Sequence, residues 1–412
     1  MGVKISDLPI LTKLSDAGIL VSEESAGTSG ITLKDFRAQL IASAPAAYHR
    51  SGLAVPAKTV ITIPTTYVNI GGDGYVQNGD NAINLATASS WDNSTYATAA
   101  NRAGKDFYIY ACQPTDGTSV PKIVLSANST VPTGYTASNS RKIGGFHCLC
   151  ADVGTISGHA LSGYVKGNIL PASVWDLLHR PVSEPEGMVW SGSEWVDIYL
   201  ASWSGSKLVS VYGGTIADGT SSKNFHGEIF VEEFGKIGKH LPSRDSFCAF
   251  AKGSNEMTNI SGSSDPGTTG GHKDTASRRM ISNIGCEDCC GVQWQWTSDI
   301  WGMPNSYQLD TSNKQISGKI GNTAQTTSAQ GDHWIYGYVW QEDGRGTAHI
   351  TADGALNVYG KAYGALVRAL AGGDWGNGVG CGSRSVDLSL LSSYRNAFSA
   401  ARGASEPRST AL

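Results

Sequence analysis

Short apolar runs bounded by glycine, asparagine, aspartate and proline dominate the first half of the chain. "TVITIPTTYVNI" (59–70), "DFYIYACQ" (106–113) and "PKIVLSAN" (121–128) are rich in β-branched and aromatic residues and predict strands. Helical spacing is rarer. In "TLKDFRAQLIA" (32–42) Leu33, Phe36 and Leu40 share a face behind a Thr32 cap, and the pattern breaks at "SAPAAYHRSG", which reads as a linker. "SVWDLLHR" (173–180) reads as a helix start, with Ser173 as cap and Val174, Leu177 and Leu178 on one face. "LPSRDSFCAFAKG" (241–253) predicts another helix: Ser243 caps it, Phe247, Phe250 and Ala251 face inward, and Gly253 ends it. Strands follow in "GVQWQWTSD" (291–299) and "HWIYGYVW" (333–340), whose alternation puts Trp294 and Trp296 on one face.

These textures divide the 412 residues into three regions. Residues 1–48 are too short to bury much alone and read either as a docking segment or as a flexible leader. Residues 49–168 are β-rich. Residues 169–412 hold ten of the eleven tryptophans, Trp91 being the exception, which marks a separate domain with a large aromatic core. Helices followed by short irregular strands indicate an α+β class.

Composition narrows the function. A net charge of −4 with no long basic run argues against nucleic acid. No run of about 18 apolar residues is present, so no membrane span is expected. The amino terminus lacks the pattern of a signal peptide, so synthesis in a cytosol without general export is expected. The eight cysteines do not form a dense disulfide framework. "CEDCC" (286–290), with His272 upstream, has the look of a metal knuckle, but no second ligand pair stands at suitable spacing; buried free thiols are expected, with no metal and no cofactor.

Four segments in order, "KHLPSRDSFCAFAKG", "GVQWQWTSD", "RALAGGDW" and "SAARG", resemble the signature segments of the formylglycine-generating-enzyme branch of the C-type lectin fold. The chain more closely resembles the major tropism determinant family of phage tail-fibre receptor-binding proteins. That likeness begins at "PTGYTASNSRKIGGFH", continues through "SVWDLLHRP", "GMVWSGSEWVDIYL" and "TIADGTSS", and holds from Ala369 to about Ala404. Residues 1–48 resemble the leader segments of phage tail fibres. The resemblance implies a C-terminal C-type lectin fold preceded by a β-rich trimerising region and a short N-terminal anchor. It implies a homotrimer in the virion tail, made in the host cytoplasm, joined to other tail proteins through the N-terminus and binding a bacterial cell-surface receptor, protein or glycan.

The resemblance also places the ligand-binding segment at 372–403. There Gly372 and Gly373 allow a tight backbone, Trp375 plugs the core, and Arg384 and Arg402 bond within the fold. The displayed receptor-binding positions carried over are Asp374, Gly376, Asn377, Gly378, Gly380, Asp387, Ser389, Leu390, Tyr394, Asn396, Phe398 and Ser399. Rigid aromatic area mixed with Asp, Asn, Ser and Gly suits recognition, as in antibody paratopes. In some relatives a retroelement diversifies this segment.

Other functions fit less well. Oxidases of the wider fold need two copper-ligating cysteines; Asn377 and Gly382 fall at those positions, and Cys381 stands alone, so no enzyme is expected. Calcium-dependent sugar binding needs tripeptides that are missing: Trp91-Asp92-Asn93 has the wrong order, and Glu184-Pro185-Glu186 lies too far upstream. The adjacent acids Glu232-Glu233 and Glu342-Asp343 read as solvated surface rather than a glycosidase pair. A purely structural tail or capsid decoration protein remains the rival reading.

Overall fold

Alternating side chains build the second region. In Thr66–Ile70, Thr66, Val68 and Ile70 are buried and the residues between them are half-buried. That strand pairs with Ala47–His49 and Asp73–Gln77 in one three-stranded sheet, and Val60–Ile63 lies between Ala54–Ala57 and Asn81–Asn84 in another. The computed structural model describes residues 19–24, 27–32, 47–301, 322–323, 333–336, 359–362, 367–388 and 390–408. The helix expected over 32–42 falls largely outside them; Thr32 ends the strand Gly27–Thr32, which pairs with Ile19–Glu24. The expected linker is not wholly a linker. His49 is sealed in the second region, where its ring meets Thr66 Oγ1 at 2.7 Å and the Ile143 carbonyl at 3.0 Å, so tertiary hydrogen bonds draw Ala47–His49 into the sheet.

The larger sheet of this region carries the strands β1 (Asp106–Cys112), β2 (Lys122–Ser126), β3 (Ser140–His147) and β4 (Trp175–Asp176), in the order β2-β1-β3-β4. Here the helix expected at 173–180 does not form. Pro171–Ser173 makes one 3₁₀ turn and the chain then enters β4. The Ser173 hydroxyl caps no helix: it accepts from His147 N–H at 2.8 Å and donates to the Leu170 carbonyl at 2.7 Å. The reason is tertiary. Gly144 and Gly145 leave the edge of β3 bare, and a Cβ on Gly145 would stand 2.7 Å from the Trp175 ring and from the Phe107 carbonyl. The sheet therefore runs on to Asp176, past the boundary read at 168, and Val174 and Leu177 pack on the core of the second region.

In the third region two helices flank the sheet. The expected helix forms as α2 (Arg244–Phe250), where Ser243 Oγ accepts from Ser246 N–H at 3.0 Å and Phe247, Phe250 and Ala251 are buried. A helix not marked in the sequence, α1 (Gly227–Gly235), precedes it and buries Phe230 and Phe234, four residues apart on one face. Both rings pack with Trp294 and Trp296 of β5 (Trp294–Trp301). A seven-stranded sheet runs Asn322–Thr323, His333–Tyr336, Tyr359–Ala362, β7 (Gly382–Leu388), β6 (Val367–Gly372), β5 and β8 (Ser399–Ala400). β8 lies parallel to β5, with Trp294 opposite Ser399.

The end of the chain closes on the start of this region. Ala404–Ser405 pairs with Trp195–Asp197, and Val182 N–H donates to the Glu406 carbonyl at 2.9 Å. Arg402 is wholly buried and donates to the carbonyls of Asp197, Ile198 and Glu287 and to Gln295 Oε1. Asp197 takes Lys239 Nζ at 2.5 Å and Gly403 N–H at 3.0 Å, and a Cβ on Gly403 would stand 2.6 Å from the Asp197 carboxylate.

A buried polar chain crosses from the second region to the third. Asp106 meets His147 at 2.9 Å, His147 meets Tyr199 at 3.0 Å, and Tyr199 shares a hydrogen bond with Cys150. The Cys150 thiol donates to Glu287 at 3.3 Å, and Arg279 donates to both Glu287 oxygens at 2.6 and 2.9 Å.

Ser243→Ala removes the cap of α2 and is expected to cost about 1 kcal/mol. A urea midpoint for the full chain indistinguishable from that of the parent would show that the cap contributes nothing.

Candidate functional site

The closing segment starts at two glycines that no other residue could replace without backbone movement. Gly372 has φ +97° and a Cβ there would stand 2.4 Å from the Cys289 carbonyl; Gly373 has φ +86° and its Cβ would meet Cys381 Sγ at 2.9 Å. Trp375 follows, half-buried against a cluster that includes Leu200, Met280, Val292 and Ala400.

The loop from Asp374 to Gly380 is held by its own polar groups. Asn377 Oδ1 accepts from Asp374 N–H and Asp374 Oδ1 accepts from Gly376 N–H, both at 2.7 Å. A 3₁₀ turn at Gly378–Gly380 completes it. Gly376 and Asn377 are exposed; Asp374, Gly378 and Gly380 are half-buried. Val379, which the sequence reading passed over, is exposed at 55 %.

β7 then runs through the interior. All seven of its residues are buried, because it lies between β6 and Tyr359–Ala362 and is paired on both edges. Asp387, opposite Leu370 and Lys361, is 7 % exposed and is not a displayed position. Ser399 is likewise sealed, at 0 %, because β8 packs along β5. These two expectations are corrected. The period-two pattern of a strand cannot reveal that both of its faces are covered. Ser389 lies outside the described residues.

The segment after β7 turns back. Leu390 is half-buried on the Phe230–Trp296 core, and its carbonyl accepts from Arg368 N–H at 3.2 Å. Tyr394 N–H donates to the Leu391 carbonyl at 2.9 Å, closing a turn that presents Leu391 (54 %) and Tyr394 (47 %) to solvent. Leu391 is the second residue the sequence reading missed. "LSLLSS" holds two consecutive leucines, and in a turn only one of them can face the core. Asn396 is half-buried, and its side-chain amide has no hydrogen-bond partner among the described residues. Phe398 is half-buried, and its carbonyl accepts from Trp294 N–H at 2.9 Å.

Register shows how these positions group. Gly372 pairs with Gly382 at one end of the β6–β7 hairpin, so the loop 374–380 sits there. Leu390, bonded to Arg368, stands at the other end, with Leu391 and Tyr394 beyond it. The chain then passes the segment ahead of α1, where Gly219 N–H donates to the Asn396 carbonyl at 2.9 Å, and reaches the start of β5, where Gln293 Nε2 donates to the Ala397 carbonyl at 2.9 Å. Val292, one residue earlier, bridges to Asp374. Asn396 and Phe398 therefore come back beside the hairpin loop, while Leu391 and Tyr394 form the far edge.

Beneath the loop lies Glu256, whose carboxyl is enclosed although the residue keeps some surface. Both of its oxygens accept from Ser383 N–H, at 3.0 and 3.2 Å, and a Cβ on Gly382 would collide with it. Burial raises its pKa from 4.5 to about 8 against the opposing pull of the Ser383 hydrogen bonds and of Arg278 and Arg384. The Cys381 thiol, 1 % exposed, is pushed far up by burial. All eight cysteines are free and buried, and no group of three His, Cys, Asp or Glu side chains is placed to hold a metal among the described residues. Glu232 pairs with Lys236 at the surface as expected, but Glu233 is not solvated: it is buried on α1 and pairs with Lys223 and Lys236. Glu342 and Asp343 lie outside the described residues. No helix among the described residues is long and apolar enough to cross a membrane.

Glu256 sets a pH dependence. Between about 4.5 and about 8 the folded chain holds this proton and the unfolded chain does not, so its contribution to stability is full below that window and is lost as pH rises through it. Glu256→Gln is expected to flatten that part of the curve. Denaturant midpoints measured from pH 4.5 to 8.5 that fall equally in both proteins would sink the assignment.

Comparison with known proteins gives three findings. Residues 53–176 match the family model described as Mtd second domain. A curated relative, the tail fiber receptor-binding protein of Bordetella phage BPP-1, is 32 % identical over 221 residues, which are 49 % of this chain and 56 % of that protein. The chain thus aligns with little more than half the length of that relative. The solved structures of the Major Tropism Determinant U1, M1 and P3c variants are each 25 % identical, cover 94 % of this chain and superpose with TM-scores of 0.62, 0.63 and 0.63; the match covers 91, 91 and 92 % of those chains. The likeness to major tropism determinants read in the sequence is thereby shown, and with it the lectin-type fold.

Proposed function

We propose that this chain is a phage tail-fibre receptor-binding protein that attaches the virion to its host through the closing segment of a C-type lectin domain. One observation carries the reading: the structural match to Major Tropism Determinant variants extends over 94 % of the chain, so second and third regions are matched together. The aligned stretch of the Bordetella phage tail fiber receptor-binding protein supports it.

The proposed receptor face is drawn from Asp374, Gly376, Asn377, Gly378, Gly380, Leu390, Tyr394, Asn396 and Phe398, with Val379 and Leu391 added. Exposed Tyr394 and Leu391 supply rigid apolar area, and the hairpin loop offers backbone and amide hydrogen bonds around glycines. Because Asp374 and Asn377 already hold the loop, their role is to shape the face as well as to touch the ligand. Binding, not catalysis, is proposed: Cys381 is a lone, buried thiol where an oxidase of the wider fold would need two.

The chain is proposed to act as a homotrimer through its β-rich second region, with residues 1–48 joining the tail and the virion tail as its location. Three sites per trimer and many trimers per particle would raise avidity above single-site affinity. Light scattering of the purified chain is expected to give three times the chain mass; a stable monomer would remove this part of the proposal.

Purified protein is expected to block phage adsorption to host cells. Tyr394→Ala, at an exposed position, is expected to weaken blocking about tenfold or more with a melting temperature within about 1 °C of the parent. Full blocking by that variant would mean that the face is wrongly placed, and no blocking by the parent would mean that the function is.

A further inference from the structure

The "CEDCC" motif is not absorbed by receptor binding. Cys286 and Cys289 bracket a tight turn whose third residue, Asp288, has φ +56°. The Cys289 thiol reaches back to the Cys286 carbonyl at 3.6 Å, and the two thiols titrate as neighbours. That contact brings the Cys289 sulfur back beside residue 286, as a disulfide between two closely placed Cα atoms requires. Cys290 adjoins Cys289 but also faces Glu256, Cys381 and Arg244.

The turn is pinned on every side. Ser282 N–H donates to the Cys286 carbonyl at 2.9 Å, Glu287 N–H to the Ile198 carbonyl at 2.8 Å, and Asp288 N–H to the Met280 carbonyl at 2.8 Å. Gln295 Nε2 donates to the carbonyls of Asp288 and Cys289, and Arg402 donates to that of Glu287. The Cys289 carbonyl is the atom against which Gly372 is packed. The thiols are thus held together in the turn on which the receptor-binding segment begins.

We propose that Cys286 and Cys289 are a redox pair that closes to a disulfide on meeting hydrogen peroxide, crosslinking the turn that seats the closing segment. Cys289 is the attacking sulfur. Burial raises its pKa, but the hydrogen bond from Cys286 and the charge of Arg402 outweigh burial and lower it, while Cys286 is raised and keeps its proton. The Cys289 thiolate attacks the peroxide O–O bond, forms a sulfenic acid and releases hydroxide, which takes the Cys286 proton. The Cys286 sulfur then displaces the sulfenic hydroxyl. Two thiols and one peroxide become one disulfide and two waters; each sulfur is oxidised by one electron and both peroxide oxygens are reduced. An uncharged oxidant the size of water suits thiols with no exposed surface.

The test uses the full folded chain and does not depend on its adsorbing to cells. Protein stripped of reductant is treated with hydrogen peroxide, quenched with catalase, denatured, alkylated and digested with trypsin. Two of the eight thiols are expected to escape alkylation, and the peptide 280–314 to be lighter by two hydrogens, reversibly with dithiothreitol. The bridge is expected to form in Cys290→Ser and not in Cys289→Ser, and the oxidised chain to melt about 3 °C or more higher. Eight alkylated thiols, a bridge to Cys290 or Cys381, or oxygen added at Cys286 or Cys289 would overturn the proposal. Mapping of the unsubstituted chain decides this even where a variant does not fold.

Discussion

The third region hangs on the buried guanidinium of Arg402. A guanidinium has five donors in a rigid plane and cannot shed its charge, so in a dry interior it must be given acceptors on all sides. Here the carbonyls of Asp197, Ile198 and Glu287 and the Gln295 amide oxygen converge on it. Those acceptors come from the start of the region, from the cysteine-bearing turn and from β5. One side chain near the end of the chain therefore ties together segments about two hundred residues apart. The Lys239–Asp197 pair and the close approach of Gly403 hold the same knot from its other side. Breaking such a knot leaves a buried charge uncompensated, which costs far more than the bonds themselves contribute.

From that anchor follows the division of labour within residues 372–403. Strand β7 lies inside the sheet and β8 is its buried edge, and both supply stiffness, whereas the chain between and beyond them is stabilised locally. The hairpin loop closes its own hydrogen bonds through Asp374 and Asn377, and Tyr394 stands on a turn closed by the Leu391 carbonyl. Side chains that project from such self-contained turns can change with little effect on the core. This separation lets a surface be varied on a fold that has little stability to lose.

The second and third regions are not independent beads. The polar chain from Asp106 through His147, Tyr199, Cys150 and Glu287 to Arg279 is almost wholly out of water. The His147–Tyr199 and Cys150–Glu287 bonds are made only while the two regions keep their mutual position. A network of this kind rigidifies when complete and is costly when one link opens. For a protein proposed to bind through several weak sites at once, a fixed orientation of the third region relative to the second has direct value.

Local chemistry was enough for the α2 helix, with its Ser243 cap and inward Phe247 and Phe250, and for the strands of the second region and the Trp294/Trp296 face. Each depends on neighbours in the sequence, and each could be read there. The glycines of the closing segment and the isolated Arg402 were legible only through resemblance, because their partners, the Cys289 carbonyl and the backbone at Asp197 and Ile198, lie far away along the chain. Residues 173–180 show the limit most plainly. Their helical pattern yields to a sheet edge that Gly144 and Gly145 leave open, and no local signal announces that edge. The same holds for Asp387 and Ser399, polar residues that read as displayed until the folded sheet and what packs on it cover them, and for Val379 and Leu391, apolar residues that only a turn brings to the surface. Sequence alone determined which segments would be regular and which residue types were available for recognition. Tertiary structure decided which of them meet solvent, because exposure is a property of what packs against a residue and not of the residue itself.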